Sequence, residues 1–244
     1  MRHRDLDFSR RALLREIMDE PCEREYMRAY LESLAQVNRW FLAMRPTLKW
    51  LDGLNLPGNG RRGGEPVRIL DVGSGYGDGL RRIERWALER GIGAELTGLD
   101  LNPDTTAIAA EATGAESRIR WVTGDVFGYV PEQRVDIVVS ALFTHHLSDE
   151  DAVRFVRWME DHCAMGWFIN DLSRAATPYY QFRWFARLAG LHPGVQQDGP
   201  VSIARAFTAE DWRALCAGAG LGAEDVTIAG WKPARLCVSR RKQG

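Results

Sequence analysis

Apolar and polar positions follow two alternating periods along this chain. Short apolar runs that end in an acid or another polar residue are each followed by stretches with apolar residues three or four positions apart. Buried strands alternating with amphipathic helices predict a doubly wound α/β fold with a mostly parallel sheet. Five strands are predicted in this part of the chain, over residues 67–72, 94–99, 118–123, 136–140 and 167–171. Two further β-like runs, over residues 225–229 and 234–239, predict a terminal antiparallel hairpin on the sheet edge and bring the count to seven.

Polar residues mark the starts of three helices. Asn102 before Pro103 is a good N-cap, because its side chain can accept from free backbone N–H groups of the first turn. Ser148 and Thr208 each precede an acid by three residues, which is typical of a capping box. We therefore expect helices to begin after these three positions.

The first part of the chain, residues 1–57, is helical in pattern and precedes the strands. Leu14, Ile17 and Met18 stand at helical spacing, and Pro46 is expected to end or kink a later run. This predicts an N-terminal helical cap on the sheet. A sharper alternative is a roof over a substrate pocket that includes Tyr26 and Tyr30. The glycine-rich stretch 56–66 predicts a flexible connector, so the main domain is expected over residues 66–244.

A second irregular stretch, residues 172–207, interrupts the alternation after the fifth strand. It holds a crowded apolar run that includes Tyr179 and Phe182, then loops predicted at His192 and at residues 198–200. An insertion at this place is suited to be a substrate lid. An oligomer interface, such as that of a homodimer, and ordinary core are equally weighted alternatives, and a membrane-surface helix is a minor one.

Charge and composition limit the classes of binding partner expected for this chain. With 32 basic and 33 acidic residues the formal net charge is -1, so no overall field would gather nucleic acid, and a small-molecule substrate is expected. The four cysteines are scattered without a C-x-x-C pair, and no histidines stand at metal-ligand spacing, so no disulfide framework and no metal site are predicted. Neither a signal peptide nor an apolar run of membrane-spanning length is seen, which predicts a soluble cytoplasmic protein.

The most informative stretch is the end of the first strand, where an acid precedes alternating glycines. Asp71 is followed by Gly73, Gly75 and Gly77, which allow backbone angles and a close ligand approach that a Cβ would block. The spacing does not fit the G-x-G-x-x-G dinucleotide fingerprint in either register, and no Gly-Lys-Ser/Thr follows as in a P-loop. An acid at position 71 favours an ammonium group over a pyrophosphate.

Four segments in order resemble the motifs of class I S-adenosylmethionine-dependent methyltransferases, of the small-molecule type found in ubiquinone and menaquinone biosynthesis. They are residues 69–78, 96–104, 124–126 and 135–147. The resemblance covers roughly residues 66–170. It implies a Rossmann-like methyltransferase fold with S-adenosylmethionine as cofactor. The implied cofactor-binding residues are Asp71, Gly73, Ser74, Gly75, Gly77, Asp100, Leu101, Asp125, Val126, Ser140 and Ala141.

Two of these acids have a chemical reason to be where they are. Asp100 ends the second strand, where a carboxylate can accept two hydrogen bonds from a vicinal ribose diol. Asp125 could accept from an adenine amine, although its spacing fits a helix cap equally well. In the resemblance, Asp100 holds the ribose and the segment 124–126 contacts adenine.

Methyl transfer from a sulfonium mainly requires positioning, but a hydroxyl or phenol acceptor must also lose a proton. A neutral imidazole suits that task near pH 7, so His145 or His146, just past the fourth strand, is the candidate general base, with a slight preference for His146. In the alternative, one histidine is structural and the other binds cofactor or caps a helix. Asn170 and Arg174, at and just past the fifth strand, are further candidates for orienting the acceptor.

The resemblance of the fourth-strand motif implies a small aromatic or lipid-like acceptor, and we expect O-methylation. C-methylation of a quinone or polyketide-like substrate is the alternative. The base-amino methyltransferase motif is absent after the fourth strand, and no cysteine stands near residues 140–150 to act as a nucleophile. Outside this class, a nucleotide-cofactor oxidoreductase and a non-catalytic cofactor-binding homologue remain open.

Overall fold

A single seven-stranded sheet organises the computed structural model, which describes residues 6–12, 14–56 and 64–242. The strand order is β3-β2-β1-β4-β5-β7-β6, with β1 to β5 parallel and β7 antiparallel to both of its neighbours. The strands are β1 (Val67–Val72), β2 (Ala94–Asp100), β3 (Arg120–Thr123), β4 (Val135–Ala141), β5 (Cys163–Leu172), β6 (Thr227–Trp231) and β7 (Arg235–Arg241). The predicted doubly wound fold and its terminal hairpin are confirmed.

Eight α-helices flank the sheet in the described part of the chain. They are α1 (Arg24–Trp40), α2 (Arg45–Asp52), α3 (Asp78–Glu89), α4 (Pro103–Glu111), α5 (Asp149–His162), α6 (Ala176–Leu188), α7 (Pro193–Arg205) and α8 (Ala209–Gly218). All three predicted caps are present: Asn102, Ser148 and Thr208 each accept a hydrogen bond from backbone N–H groups of the first turn that follows. No helix among the described residues is both long and apolar enough to cross a bilayer.

Strand residues alternate between two apolar layers. Leu70 and Val72 of β1 face a core that includes α5 and α8, whereas Val67 and Ile69 face a core that includes α2 and α3. Because successive side chains of a strand point to opposite faces, a strand that is apolar throughout must be covered on both sides. This explains why the buried strands lack a polar face. The carboxyl ends of β1 to β5 lie at one common edge because these strands are parallel.

The turn from β1 into α3 is built on left-handed glycines. Gly73, Gly75 and Gly77 have φ angles of 70°, 52° and 75°. The N–H groups of Gly73 and Ser74 donate to the carbonyl oxygen of Leu99 in β2, which fixes the turn against the neighbouring strand. A side chain at these angles is strained, so glycine is required by the backbone itself.

Gly77→Ala is expected to lower the free energy of unfolding by about 3 kcal/mol, because strain at positive φ is added to overlap with a packed ring. A Cβ at position 77 would lie 2.2 Å from Trp121 Cη2. The matched control is Gly91→Ala, since Gly91 has φ 63° with no atom within 4 Å of the added Cβ, and only the backbone strain of about 1 kcal/mol applies. Equal losses in urea unfolding would show that the Trp121 contact contributes nothing.

The N-terminal part is less helical than its pattern predicts. Residues 6–12 and 14–16 are non-helical, followed by a one-turn 3-10 helix at Ile17–Asp19, so the helical spacing around Leu14 and Met18 was misleading. Pro46 does not end a helix but lies in the first turn of α2, where its missing N–H costs nothing. The break falls instead at Leu42, whose φ is 50°. Most of the predicted connector, residues 57–63, lies outside the described residues.

Residues 172–207 form two packed helices, α6 and α7, between β5 and α8. The loop predicted at residues 198–200 is wrong, because Asp198, Gly199 and Pro200 lie inside α7. Gly199 is needed there because the Phe182 ring packs on its backbone, with Cε1 2.0 Å from the position of an added Cβ. Close packing, not chain reversal, explains this Asp-Gly-Pro sequence.

Candidate functional site

A cavity of about 1000 Å³ opens at the carboxyl edge of the parallel strands. Its walls come from the ends of β1, β2 and β4, from α1, and from residues 18–22 of the N-terminal segment. This edge is where doubly wound sheets bind ligands. The sequence-predicted residues that line it are Asp71, Gly73, Ser74, Gly75, Asp100, Leu101, Asp125, Val126, Ala141 and His146.

The glycine turn presents polar groups to this cavity. Gly75 lines it with no atom within 4 Å of the position of an added Cβ, so a ligand can approach the backbone. The Ser74 hydroxyl is buried without a hydrogen-bond partner among the described residues. Asp71 is also buried, and burial together with the charges of Asp78 and Asp100 raises the pKa of its carboxyl well above the usual range. Both groups are suited to a polar ligand inside the turn.

Asp100 at the end of β2 is held by two backbone donors. One carboxylate oxygen, Oδ2, accepts from the Gly75 N–H at 2.9 Å, and the other, Oδ1, accepts from the Asn102 N–H at 3.0 Å. Burial raises the pKa of the carboxyl in spite of these two bonds. Each oxygen retains a second lone pair, so the pre-oriented carboxylate can accept two further hydrogen bonds from a ligand.

The third segment forms a tight turn beside Asp100. Asp125 Oδ1 accepts from the Phe127 N–H at 3.0 Å, and Val126 is buried in the core while one side still faces the cavity. Arg154 lies over the Phe127 ring at 4.1 Å from its centroid and also lines the cavity. At this end of the cavity, Val126 therefore forms an apolar side and Asp125 an acidic side.

The two histidines after β4 have different environments. His145 is buried and does not line the cavity; its Nδ1 is 2.8 Å from Asp171 Oδ1, and its backbone N–H donates to Asp171 Oδ2. His146 lines the cavity, with Nδ1 3.1 Å from Asp19 Oδ1. The geometry therefore favours His146 over His145 as the group that reaches a bound molecule.

Two acidic residues of the N-terminal segment, Glu16 and Asp19, lie next to the His146 ring. Burial raises the pKa of Glu16 to about 7, although the charges of His146 and Arg205 oppose the shift. Burial also acts on Asp19, but hydrogen bonds from His146 and Arg205 outweigh it and hold the pKa of that carboxyl well below its usual range. The segment preceding α1, which the sequence pattern suggested was only part of a cap, supplies this wall of the site.

Several predicted site residues lie outside the cavity lining. Ser140 is buried and donates its hydroxyl to the Val72 carbonyl oxygen, and Gly77 serves as the N-terminal cap residue of α3. Asn170 donates to the Ala43 carbonyl oxygen and to Thr47 Oγ1, which fixes the start of α2 on β5. These contacts bind elements of the protein to one another.

The other residues predicted to bind the methyl acceptor also lie outside the cavity lining. Arg174 pairs with Asp211 at 2.8 Å and donates to the Ala206 carbonyl oxygen. Tyr30 donates its hydroxyl to buried Asp198, and Tyr26 packs edge-on against His192. Tyr179 and Phe182 belong to apolar clusters under α6 and α7.

Two cavity residues carry no sequence signal of their own. Asn38 in α1 and Arg235 at the start of β7 meet at the cavity although they are far apart in the chain. Arg235 Nη2 is 3.4 Å from Asn38 Oδ1, and burial lowers the pKa of its guanidinium. Arg235 lies beyond the segments that the motifs cover, so only the fold reveals its position.

Part of the chain is similar in sequence to known methyltransferases. Residues 69–166 match a family model described as methyltransferase domain. Trans-aconitate 2-methyltransferase of Streptomyces avermitilis is 36% identical over 80 residues, 31% of this chain. Escherichia coli YjhP, an uncharacterised protein, is 38% identical over 74 residues, 29% of this chain. Both matches span 28% of the relative's length.

A solved structure extends the similarity to nearly the whole fold. The plantazolicin methyltransferase BpumL, crystallised with a monoazolic desmethylPZN analog and SAH, has a TM-score of 0.62 at 14% identity over 91% of this chain and 96% of that chain. The described fold is therefore that of a solved methyltransferase. The matched residues 69–166 lie within the part of the chain, roughly residues 66–170, whose motifs resemble class I S-adenosylmethionine-dependent methyltransferases.

Proposed function

We propose that this protein transfers the methyl group of S-adenosylmethionine to a hydroxyl oxygen of a small, aromatic or hydrophobic metabolite. The observation that supports this most is the cavity in which the glycine turn, Asp100 and His146 line one space. C-methylation of a quinone-like acceptor is the alternative. A small acceptor, no nucleic-acid partner, a cytoplasmic location and a homodimer remain predictions.

The residues present fit S-adenosylmethionine. The unpartnered Ser74 hydroxyl and the open face of Gly75 suit its methionine portion, and an ammonium group beside Asp71 would favour the ionised carboxylate there. The free lone pairs of Asp100 suit its ribose diol. Asp125 and Leu101 would flank its adenine. Arg235 and Asn38 would remain available to an acceptor at the opposite end of the cavity.

The chain's own residues would act mainly by positioning. Bound S-adenosylmethionine supplies a methyl group activated by a positive sulfur. An apolar wall of Met27, Leu31, Leu34 and Met44 would hold the greasy part of the acceptor and limit water near the reacting atoms. His146, with Nδ1 held by Asp19, keeps Nε2 to receive the proton of the acceptor hydroxyl.

His146→Ala is expected to lower kcat for hydroxyl acceptors by about 100-fold or more, with little change in S-adenosylmethionine affinity, because proton transfer by a positioned side chain contributes that much. The measurement is transfer of a labelled methyl group to a panel of phenols and alcohols, beside calorimetric binding of the cofactor. His162→Ala is the matched control, since His162 stacks on Trp158 at the end of α5 and does not line the cavity. Full turnover by His146→Ala would exclude a base at this position.

A carboxylate acceptor is a second candidate, favoured by the half-buried cation Arg235 in the cavity wall. A carboxylate is ionised at neutral pH and requires no base. One relative is by name a methyltransferase of trans-aconitate. Turnover of carboxylic acids that is insensitive to His146→Ala but lost in Arg235→Met would support this candidate over the hydroxyl acceptor.

A further inference from the structure

Three potential metal ligands converge next to the cavity. His145 Nε2 lies 3.8 Å from Glu16 Oε1, and His146 Nε2 lies 3.9 Å from Glu16 Oε2. One nitrogen or oxygen of each residue lies within 4.8 Å of the other two. Glu16 and His145 are each only 3% exposed. The three side chains come from the N-terminal segment and from the turn after β4.

Each imidazole uses its Nδ1 in a hydrogen bond, which leaves its Nε2 free beside Glu16. His145 Nδ1 is paired with Asp171 at 2.8 Å and His146 Nδ1 with Asp19 at 3.1 Å. A carboxylate accepts at each Nδ1, so each ring carries its proton there and leaves a lone pair on Nε2, which lies less than 4 Å from Glu16. A carboxylate behind each histidine is the usual outer shell of a metal site.

The spacing of these atoms fits a cation better than a direct hydrogen bond. Separations of 3.8 Å and 3.9 Å exceed the hydrogen-bond range, and Glu16 Oε1 is buried without a hydrogen-bond partner in the described structure. Ligands at about 2.0–2.2 Å from one tetrahedral ion stand roughly 3.3–3.6 Å apart, so each of these two separations would have to contract by less than about 0.6 Å. Acceptor atoms that converge in a partly buried space favour a positive charge between them.

We propose that Glu16, His145 and His146 bind a divalent transition-metal ion, with Zn²⁺ as the expected occupant. Two imidazoles and one carboxylate suit Zn²⁺ and related ions, whereas Mg²⁺ and Ca²⁺ prefer oxygen ligands. The Arg205 guanidinium lies 3.6 Å from Glu16 Oε1 and opposes a second cation, but its charge is shared with Asp19 at 2.7 Å. Three protein ligands leave one position open, as in catalytic zinc sites.

The open position bears on the proposed function, on which this part of the inference rests. His146 is the ligand that lines the cavity, so the open side of the ion would face the acceptor. With the ion bound, His146 Nε2 would be a ligand and could not also receive the acceptor's proton. A hydroxyl bound to the metal would instead be acidified by the ion. Metal binding itself requires no methyl transfer, so it is measured independently.

The test is titration of chelator-treated, full-length protein with Zn²⁺ by competition calorimetry, and with Co²⁺ by visible absorption. One equivalent of Zn²⁺ is expected to bind, with a Co²⁺ spectrum typical of four-coordinate nitrogen and oxygen ligands. Glu16→Gln and His146→Gln are each expected to weaken binding at least 100-fold, and His162→Gln, a histidine outside the cluster, should not change it. Circular dichroism shows which variants fold, and if Glu16→Gln does not, His146→Gln decides.

Failure of the wild-type protein to bind Zn²⁺ or Co²⁺, or unchanged affinity in the folded variants, would overturn the metal site. Calorimetric binding of S-adenosylmethionine to the same metal-free preparation is measured in parallel. Cofactor binding without metal binding would contradict only the metal proposal. Metal binding without cofactor binding would contradict only the proposed function.

Discussion

Replacing Asp100 by alanine is expected to weaken S-adenosylmethionine binding by 100-fold or more. The carboxylate is held in place by the N–H groups of Gly75 and Asn102, and its free lone pairs would accept both hydroxyls of the ribose. Two charge-assisted hydrogen bonds contribute about 3 kcal/mol or more, which corresponds to this change in Kd. The substitution also leaves the Gly75 N–H without its acceptor, so the glycine turn would lose part of its fixed geometry.

Glu95→Gln is the matched control for this experiment. Glu95 stands at the opposite end of the same strand, where it is exposed and pairs with Arg68. The substitution removes one negative charge from β2 and does not change the cavity. The Kd for S-adenosylmethionine should therefore stay within about a factor of two, because exposed ion pairs contribute little. Calorimetry of both variants separates loss of a specific acceptor from loss of charge. A Kd unchanged in Asp100→Ala would contradict the assignment of the ribose position.

The glycine turn and the helix starts were predictable because their signals are local. Asn102 caps α4 through hydrogen bonds to residues two and three positions ahead, and the alternation Gly73, Gly75, Gly77 reports on the backbone angles of those same residues. A few neighbouring residues settle such features whatever the rest of the fold does. The doubly wound, mostly parallel sheet with its terminal hairpin was predictable from the strand pattern and the resemblance.

Contacts between distant parts of the chain were not predictable in this way. Asn170 follows the rule that polar strand ends face ligands, yet α2 covers that end of β5 and takes its side-chain amide. The aromatic run with Tyr179 and Phe182 has the composition of a binding surface, but α7 and the N-terminal segment pack on it. Apolar composition alone does not distinguish a surface that binds a ligand from one that binds the rest of the protein.

The acidic wall of the site is the clearest case. Glu16 and Asp19 lie in a charged segment with no motif, and they reach His146 only because the 3-10 turn at Ile17–Asp19 is fixed to α7. One residue that fixes it is Asp198, which we predicted from the sequence to lie in a loop. Its buried carboxylate accepts from the N–H groups of Ile17 and Met18 and from the Tyr30 hydroxyl.

Asp198→Ala is therefore expected to lower the free energy of unfolding by about 4 kcal/mol and to detach the N-terminal wall of the site. Three donors lose their acceptor at once, and a buried donor without a partner costs about 1–3 kcal/mol, reduced where water reaches the freed segment. Urea unfolding measures the stability. Hydrogen exchange of the Ile17 and Met18 amides, whose N–H groups lose their acceptors, reports the local effect.

Tyr30→Phe is the matched control, because it removes one of the three donors and leaves the carboxylate bound to both N–H groups of the turn. Its cost should be about 1 kcal/mol, with the two amides still protected. If Asp198 fixes the turn, Glu16 and Asp19 should no longer be held against His146 in the alanine variant. The variant should then lose more activity than its loss of stability explains. Equal stability and equal amide exchange in the two variants would show that other contacts hold the turn. Arg205, which donates to Asp19 and to the Leu14 carbonyl oxygen, would then be the next residue to replace.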